Sequence, residues 1–92
     1  MKLRYKARAL RDIEGIHDYI AEHDAEAAKR VVRRIEGAIA RLSFLPLSGR
    51  PGVVAGARIL VVPGLPYVAI YRVGDETVDI IAVLHTARRR RS

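Results

Sequence analysis

The 92-residue sequence has no cysteine, one methionine and one phenylalanine, and its acids are outnumbered: 10 Asp and Glu stand against 17 Lys and Arg. Without cysteine there is no disulfide to staple a small fold and no thiolate to hold a metal, and nothing points to an oxidising compartment. No apolar run approaches the roughly 20 residues of a membrane-spanning helix. The opening M-K-L-R-Y-K-A-R alternates charged and apolar residues instead of building the apolar stretch of a signal peptide. The expectation is a cytoplasmic protein with no membrane partner. No two of the three histidines have metal-ligand spacing beside an acid, so neither a metal nor a cofactor is expected.

What is present is half hydrophobic, enough to build the core of one small domain spanning residues 1–92. The net charge is +7 and arginine dominates the basic set. Guanidinium groups suit bidentate contact with phosphate or carboxylate. An anionic partner follows, either nucleic acid or an acidic protein, and composition alone does not choose between them. The plainer alternative is a solvated basic surface.

Leu3, Tyr5 and Ala7 alternate with Lys2, Arg4, Lys6 and Arg8, which predicts a strand with one buried face and one cationic face. From Ala9 the period lengthens. Leu10, Ile13, Ile16 or His17, and Ile20 predict a helix ending near His23, with Asp12 and Glu14 in its first turn. Asp24 reads as the N-cap of a second helix, with Glu26 in its first turn. That helix carries Ala28, Val31 or Val32, Ile35, Ile39 and Leu42 on one side and Lys29, Arg30, Arg33, Arg34 and Arg41 on the other. It frays through Ser43–Leu45 and stops before Pro46. Residues 46–57, with two prolines and three glycines, predict a loop with a short extended piece at Val53–Val54; the segment is too short and too apolar for an interdomain linker.

Three strands follow, about Arg58–Val62, Tyr67–Val73 and Thr77–His85, separated by P-G-L-P and G-D-E-T. The closing A-R-R-R-R-S is a run of like charge that reads as a mobile tail over residues 88–92. The order β-α-α-β-β-β predicts an α+β fold, with the helical hairpin on one face of an antiparallel sheet. In the last two strands both parities are apolar. Tyr67, Ala69, Tyr71 and Val73 oppose Val68 and Ile70, and Val78, Ile80, Ala82 and Leu84 oppose Ile81 and Val83. Two helices cover only one face, so the other is expected to present an apolar patch to a protein partner.

The P-Y-x-x-x-Y-R element at Pro66–Arg72, followed by V-L-H-x-x-R at Val83–Arg88, resembles the RelE/ParE superfamily of bacterial type II toxins. The likeness runs along nearly the whole chain. It implies a toxin neutralised by a cognate antitoxin, whose flexible segment wraps the toxin and folds on binding. One branch, RelE-like, cleaves mRNA on the ribosome; the other, ParE-like, poisons DNA gyrase without nuclease chemistry of its own. Here the loop before the second strand carries only Arg50, no lysine follows Lys29, and the helical hairpin is long and amphipathic. These departures favour the ParE-like branch and gyrase as target.

On that branch no residue is catalytic, and Arg58, Tyr71, Arg72, His85, Arg88, Arg89 and Arg90 are the candidate contacts to target or antitoxin. On the nuclease alternative, attack by a 2′-hydroxyl needs a base, a cation and an acid. Arg58 and Arg72 would supply cations, His85 or Tyr71 would supply acid or base, and Arg88 completes the candidate set. Each also has a structural reading. Tyr71 packs in the sheet, His85 ends a strand among apolar neighbours, and Arg72 pairs with Asp75, Glu76 or Asp79. Arg58 pairs with an acid of the helical hairpin.

Overall fold

The computed structural model describes residues 1–89, the last two by backbone alone. Strand β1 (Lys2–Tyr5) leads into helices α1 (Ala7–Ala21) and α2 (Ala25–Ala40), and α2 tightens into a 3-10 turn at Arg41–Ser43. A long loop contains β2 (Arg50–Pro51), and β3 (Ala57–Val61), β4 (Tyr67–Val73) and β5 (Thr77–His85) complete the sheet before a short helix, α3 (Thr86–Arg89). The strand order is β1-β5-β4-β3-β2. The fold is α+β, as its element order predicts. The sheet is mixed, however: β1 lies parallel to β5, with Leu3 opposite Val78, and the remaining pairs are antiparallel. The chain leaves β1 through both helices and re-enters at the far edge, so the meander returns its last strand alongside the first.

Helix α1 starts at Ala7, two residues before the expected point, because the backbone leaves the sheet at Lys6, whose N–H donates to the Ile80 carbonyl at 2.9 Å. Asp12 and Glu14 therefore fall beyond the first turn, which holds no acid. The buried stripe runs through Ala9 and Ile13, and Leu10 is exposed instead. Asp24 caps α2 as expected, its carboxylate accepting from the Ala27 N–H at 3.0 Å, with Glu26 in the first turn. Ala28, Ile35, Ile39 and Leu42 are buried.

The hairpin packs on Tyr67, Ala69, Tyr71, Val78, Ile80 and Val83. The last three do not share one parity. Ile70 faces Ala82 while Tyr71 faces Ile80, so Ile81 is an extra residue in β5. Such a bulge reverses which side chains face the core beyond it. Val83 thus joins Val78 and Ile80, and Ala82 and Leu84 turn to the open face with Val68 and Ile70. Asp12 supports the irregular segment. Its carboxylate accepts from the Val83 N–H at 2.9 Å, where β1 no longer flanks β5. On the core side of β1, burial, with the Glu36 carboxylate as a second cause, raises the Tyr5 phenol above its ordinary value.

The open face differs from expectation. Val68 and Ala82 lie between Val61, Ile70 and Leu84 in the register and are buried, and Val61 is the strongly exposed member. Towards its other end the face is polar, with Arg72 opposite Asp79 and Asp79 opposite Arg4. Five large exposed apolar side chains, Phe44, Leu45, Leu47, Val53 and Val54, lie in the loop between α2 and β3, and Tyr19 stands exposed on α1.

Candidate functional site

That loop, residues 44–56, is built from beneath by two residues of the sheet. Arg58 and Tyr71 sit directly opposite each other on β3 and β4 and project to the same face. Tyr71 is fully buried. Its hydroxyl donates to the Pro46 carbonyl at 2.8 Å and accepts from the Gly49 N–H at 2.9 Å. The half-buried Arg58 donates from Nε to the Gly49 carbonyl at 2.9 Å, and from Nη2 to the Leu47 and Gly49 carbonyls at 3.1 and 2.6 Å. Buried polar groups are costly unless paired, and these bonds satisfy the phenol and the inner loop backbone together. Gly49 is required by this closeness: a Cβ there would come within 2.5 Å of the Tyr71 hydroxyl and 2.7 Å of the Ile59 carbonyl.

The extended piece of the loop is Arg50–Pro51, paired with Ile59 and Arg58, and not Val53–Val54. A tight turn follows, closed by the Gly52 N–H to the Ala57 carbonyl at 2.7 Å. It pushes Val53 and Val54 outward, so that they have no strand to pair with. The outer surface then shows Phe44 at 82 % exposure, Val53 at 98 %, and Leu45, Leu47 and Val54 each more than half exposed. Leu47, Pro51, Val54, Arg58 and Val73 line a shallow cleft of about 310 Å³ beside them. Exposed apolar side chains gathered on one loop are the kind of surface that protein partners use. Sequence reasoning missed these residues; their signal was the apolar content of a segment otherwise rich in glycine and proline.

The remaining candidates do not join Arg58 and Tyr71. His85 stands opposite Tyr67, their rings edge-to-face with centroids 5.4 Å apart. Tyr67 lies four residues from Tyr71 along β4, or about 13 Å at strand rise. The His85 Nδ1 accepts from the Ala87 N–H at 3.1 Å, so the neutral ring carries its proton on Nε2. Arg72 projects from the opposite face, exposed, and its Nη1 lies 3.4 Å from the Ala55 carbonyl. It does not pair with Asp79, because that carboxylate takes Arg4 in a two-pronged contact at 3.1 and 3.2 Å. Nor does Arg58 pair with an acid of the hairpin; its hydrogen bonds go to the loop. Arg90 and the side chains of Arg88 and Arg89 lie outside the described residues. Among the described residues no three His, Asp or Glu side chains gather in a way that could hold a metal ion, and no helix is long and apolar enough to cross a membrane.

A family model described as ParE toxin of type II toxin-antitoxin system, parDE, matches residues 3–90. Y4kP of Sinorhizobium fredii, which carries the name of a toxin, is 42 % identical over 84 residues, spanning 91 % of this chain and 86 % of that protein. Toxin RelE2 of Caulobacter vibrioides is 38 % identical over 81 residues, spanning 88 % of this chain and 90 % of that one. Among solved structures, the chromosomal ParDE TA system from P. aeruginosa contains a chain that superposes with a TM-score of 0.83 at 27 % identity, over 92 % of this chain and 95 % of that one.

Proposed function

The chain belongs to the ParE toxin family of type II toxin–antitoxin systems, and from that premise we propose that it poisons DNA gyrase by binding and is neutralised by a cognate antitoxin in the cytoplasm. The observation that carries this reading is the dispersal of the acid–base candidates. A single phosphate in reaction needs a base at the attacking hydroxyl, a cation at the phosphate oxygens and an acid at the leaving oxygen, all reaching the same substrate group. Here Arg58 and Tyr71 are bonded to loop backbone, His85 lies about 13 Å along the sheet, and Arg72 is on the other face. Such an arrangement suits recognition: among the described residues the candidates do not meet at one phosphate. The loop platform of Phe44, Leu47, Val53 and Val54, held by Arg58 and Tyr71, is the proposed protein-binding ground, and the ParDE likeness supports an antitoxin as one occupant.

Ribosome-dependent mRNA cleavage is the second reading, favoured by kinship with the protein named RelE2. Purified toxin incubated with gyrase and supercoiled plasmid is expected to accumulate linear DNA, while a coupled translation reaction continues to make protein. Cleaved mRNA in the translation reaction, with no gyrase-dependent linear DNA, would overturn the gyrase assignment.

A further inference from the structure

We infer that the outward face of α2 is a binding surface for the phosphate backbone of duplex DNA. Arg30, Arg33, Arg34, Gly37 and Arg41 fall within about 100° of the helix circumference, opposite the buried Ile35. The ion pairs among the described residues are Arg4–Asp79, Arg8–Asp12, His17–Asp18 and Lys29–Glu26. None of them neutralises an arginine of this stripe. Glu26, at its start, is taken by Lys29, and Glu36 lies to the side, near Tyr5.

Two features give the stripe a shape as well as a charge. Gly37 sits at its centre, and a Cβ there would have nothing within 4 Å, so a ligand can approach the helix backbone between Arg34 and Arg41. A cleft of about 220 Å³ opens at the same place, lined by Arg34, Gly37, Ala38, Arg41, Val62 and Pro63. Arg34 donates to the Pro63 carbonyl and packs over Gly64, whose φ of +75° turns the chain between β3 and β4. One guanidinium is therefore held in place at the rim.

The chemistry favours nucleic acid over an acidic protein. The buried centre of a protein interface is more apolar than its rim and poor in charged residues, whereas the exposed large apolar residues of this chain lie off the stripe, many of them on the loop platform. The residues interleaved with the arginines are small or charged, which suits phosphate contact that positions without reading sequence. From Arg30 to Arg41 the stripe spans roughly 16 Å of helix, a length of duplex that carries on the order of ten phosphate charges. A helix fits the wide major groove of B-form DNA, whereas the deep, narrow groove of A-form RNA excludes it.

The inference goes beyond the gyrase reading, since it concerns free duplex and is tested without gyrase. The full chain is titrated into a fluorescent 20-base-pair duplex between 50 and 200 mM salt. Four arginine–phosphate contacts predict an affinity that falls about a hundredfold over that range. Replacing Arg30, Arg33 and Arg41 with Ala should reduce the logarithmic salt slope by about three. Replacing Lys2, Arg11 and Arg50 with Ala removes the same charge elsewhere and should change the slope by less than about one. Gly37→Glu, which fits the open space without repacking, should weaken binding at least tenfold with an unchanged circular-dichroism spectrum. The inference is overturned by equal loss in both triple variants, by tighter binding to an RNA hairpin, by polyglutamate competing as well as DNA per charge, or by wild-type protein that does not bind. Loss of gyrase-dependent linear DNA with duplex binding intact would count against the gyrase reading alone.

Discussion

Arg58 and Arg41 carry the same charge and differ in what surrounds them. Arg58 is half buried and directs its guanidinium into the carbonyls of Leu47 and Gly49. Arg41 stands exposed at the end of α2, in no ion pair among the described residues. The first arginine shapes the loop that carries the apolar platform proposed to meet a protein. The second belongs to a cationic stripe with no apolar centre. A basic composition therefore resolves into two regions of different chemistry, for which different partners are proposed, and total charge describes neither of them.

The largest effect that should separate the two regions comes from Tyr71. Tyr71→Ala removes a fully buried ring from the middle of the sheet and should cost about 3–5 kcal/mol of stability. Tyr71→Phe keeps the ring but leaves the Gly49 N–H without its partner, at about 1–3 kcal/mol. Urea unfolding followed by circular dichroism measures both. Arg41→Ala, on the exposed stripe, should stay within about 0.5 kcal/mol of the parent. If Tyr71→Phe were as stable as the parent, the phenol would not be what anchors the loop.

Gly49→Ala attacks the same anchor from the other side. The new methyl meets a hydroxyl and a backbone carbonyl, neither of which is the free end of a flexible chain, so a cost of about 1–3 kcal/mol is expected. Toxicity should fall with it, because the loop must lift away from Arg58. Gly37→Ala is the matched control in the other region. It meets nothing and should stabilise the helix by about 1 kcal/mol.

Much of this fold was legible because helical and strand periods differ. Ile35, Ile39 and Leu42 announce a buried helix face, and the cap at Asp24 is a local signal that needs no tertiary knowledge. The bulge at Ile81 was not legible, since a strand apolar at both parities reads the same with or without an inserted residue. The parallel pairing of β1 joins residues about 75 apart in sequence, beyond any local pattern. At the site, Arg58 and Tyr71 stood out as polar groups in apolar strands. Their role did not, because it depends on carbonyls of Pro46, Leu47 and Gly49 that sequence distance hides. The acids that seemed natural partners for Arg72 lost to geometry: Arg4, on the neighbouring parallel strand, reaches Asp79 first.

The platform itself should respond in binding and not in folding. Phe44→Ser and Val53→Asp replace side chains that are almost wholly exposed, so unfolding midpoints should move by less than the equivalent of about 0.5 kcal/mol. Affinity for the cognate antitoxin, measured by calorimetric titration, should nevertheless drop at least tenfold, about 1.4 kcal/mol. The arginine-stripe variants should leave that affinity nearly unchanged. Equal losses from both regions would merge them into one interface and undo the division drawn above.

The smallest effect lies on a third surface, where a pH change distinguishes a paired arginine from the unpaired ones. The hydrogen bonds from Arg4, with its charge and that of Lys6 adding to them and Thr77 contributing a weaker bond, hold the Asp79 carboxyl below the usual carboxylate range. A folded-state value below the unfolded one contributes stability that is present above the unfolded value, about 3.9, and is lost as pH falls through the folded value. Arg4→Ala should therefore lower the thermal midpoint slightly at neutral pH, and the difference should shrink as pH falls below that range. High salt should shrink it too, because the pair is solvent-facing. Arg30→Ala, with no carboxylate partner among the described residues, should show no such convergence across the same pH range. A difference between Arg4→Ala and the parent that persisted undiminished at pH 2 would assign the role of Arg4 to packing along β5 and not to its charge.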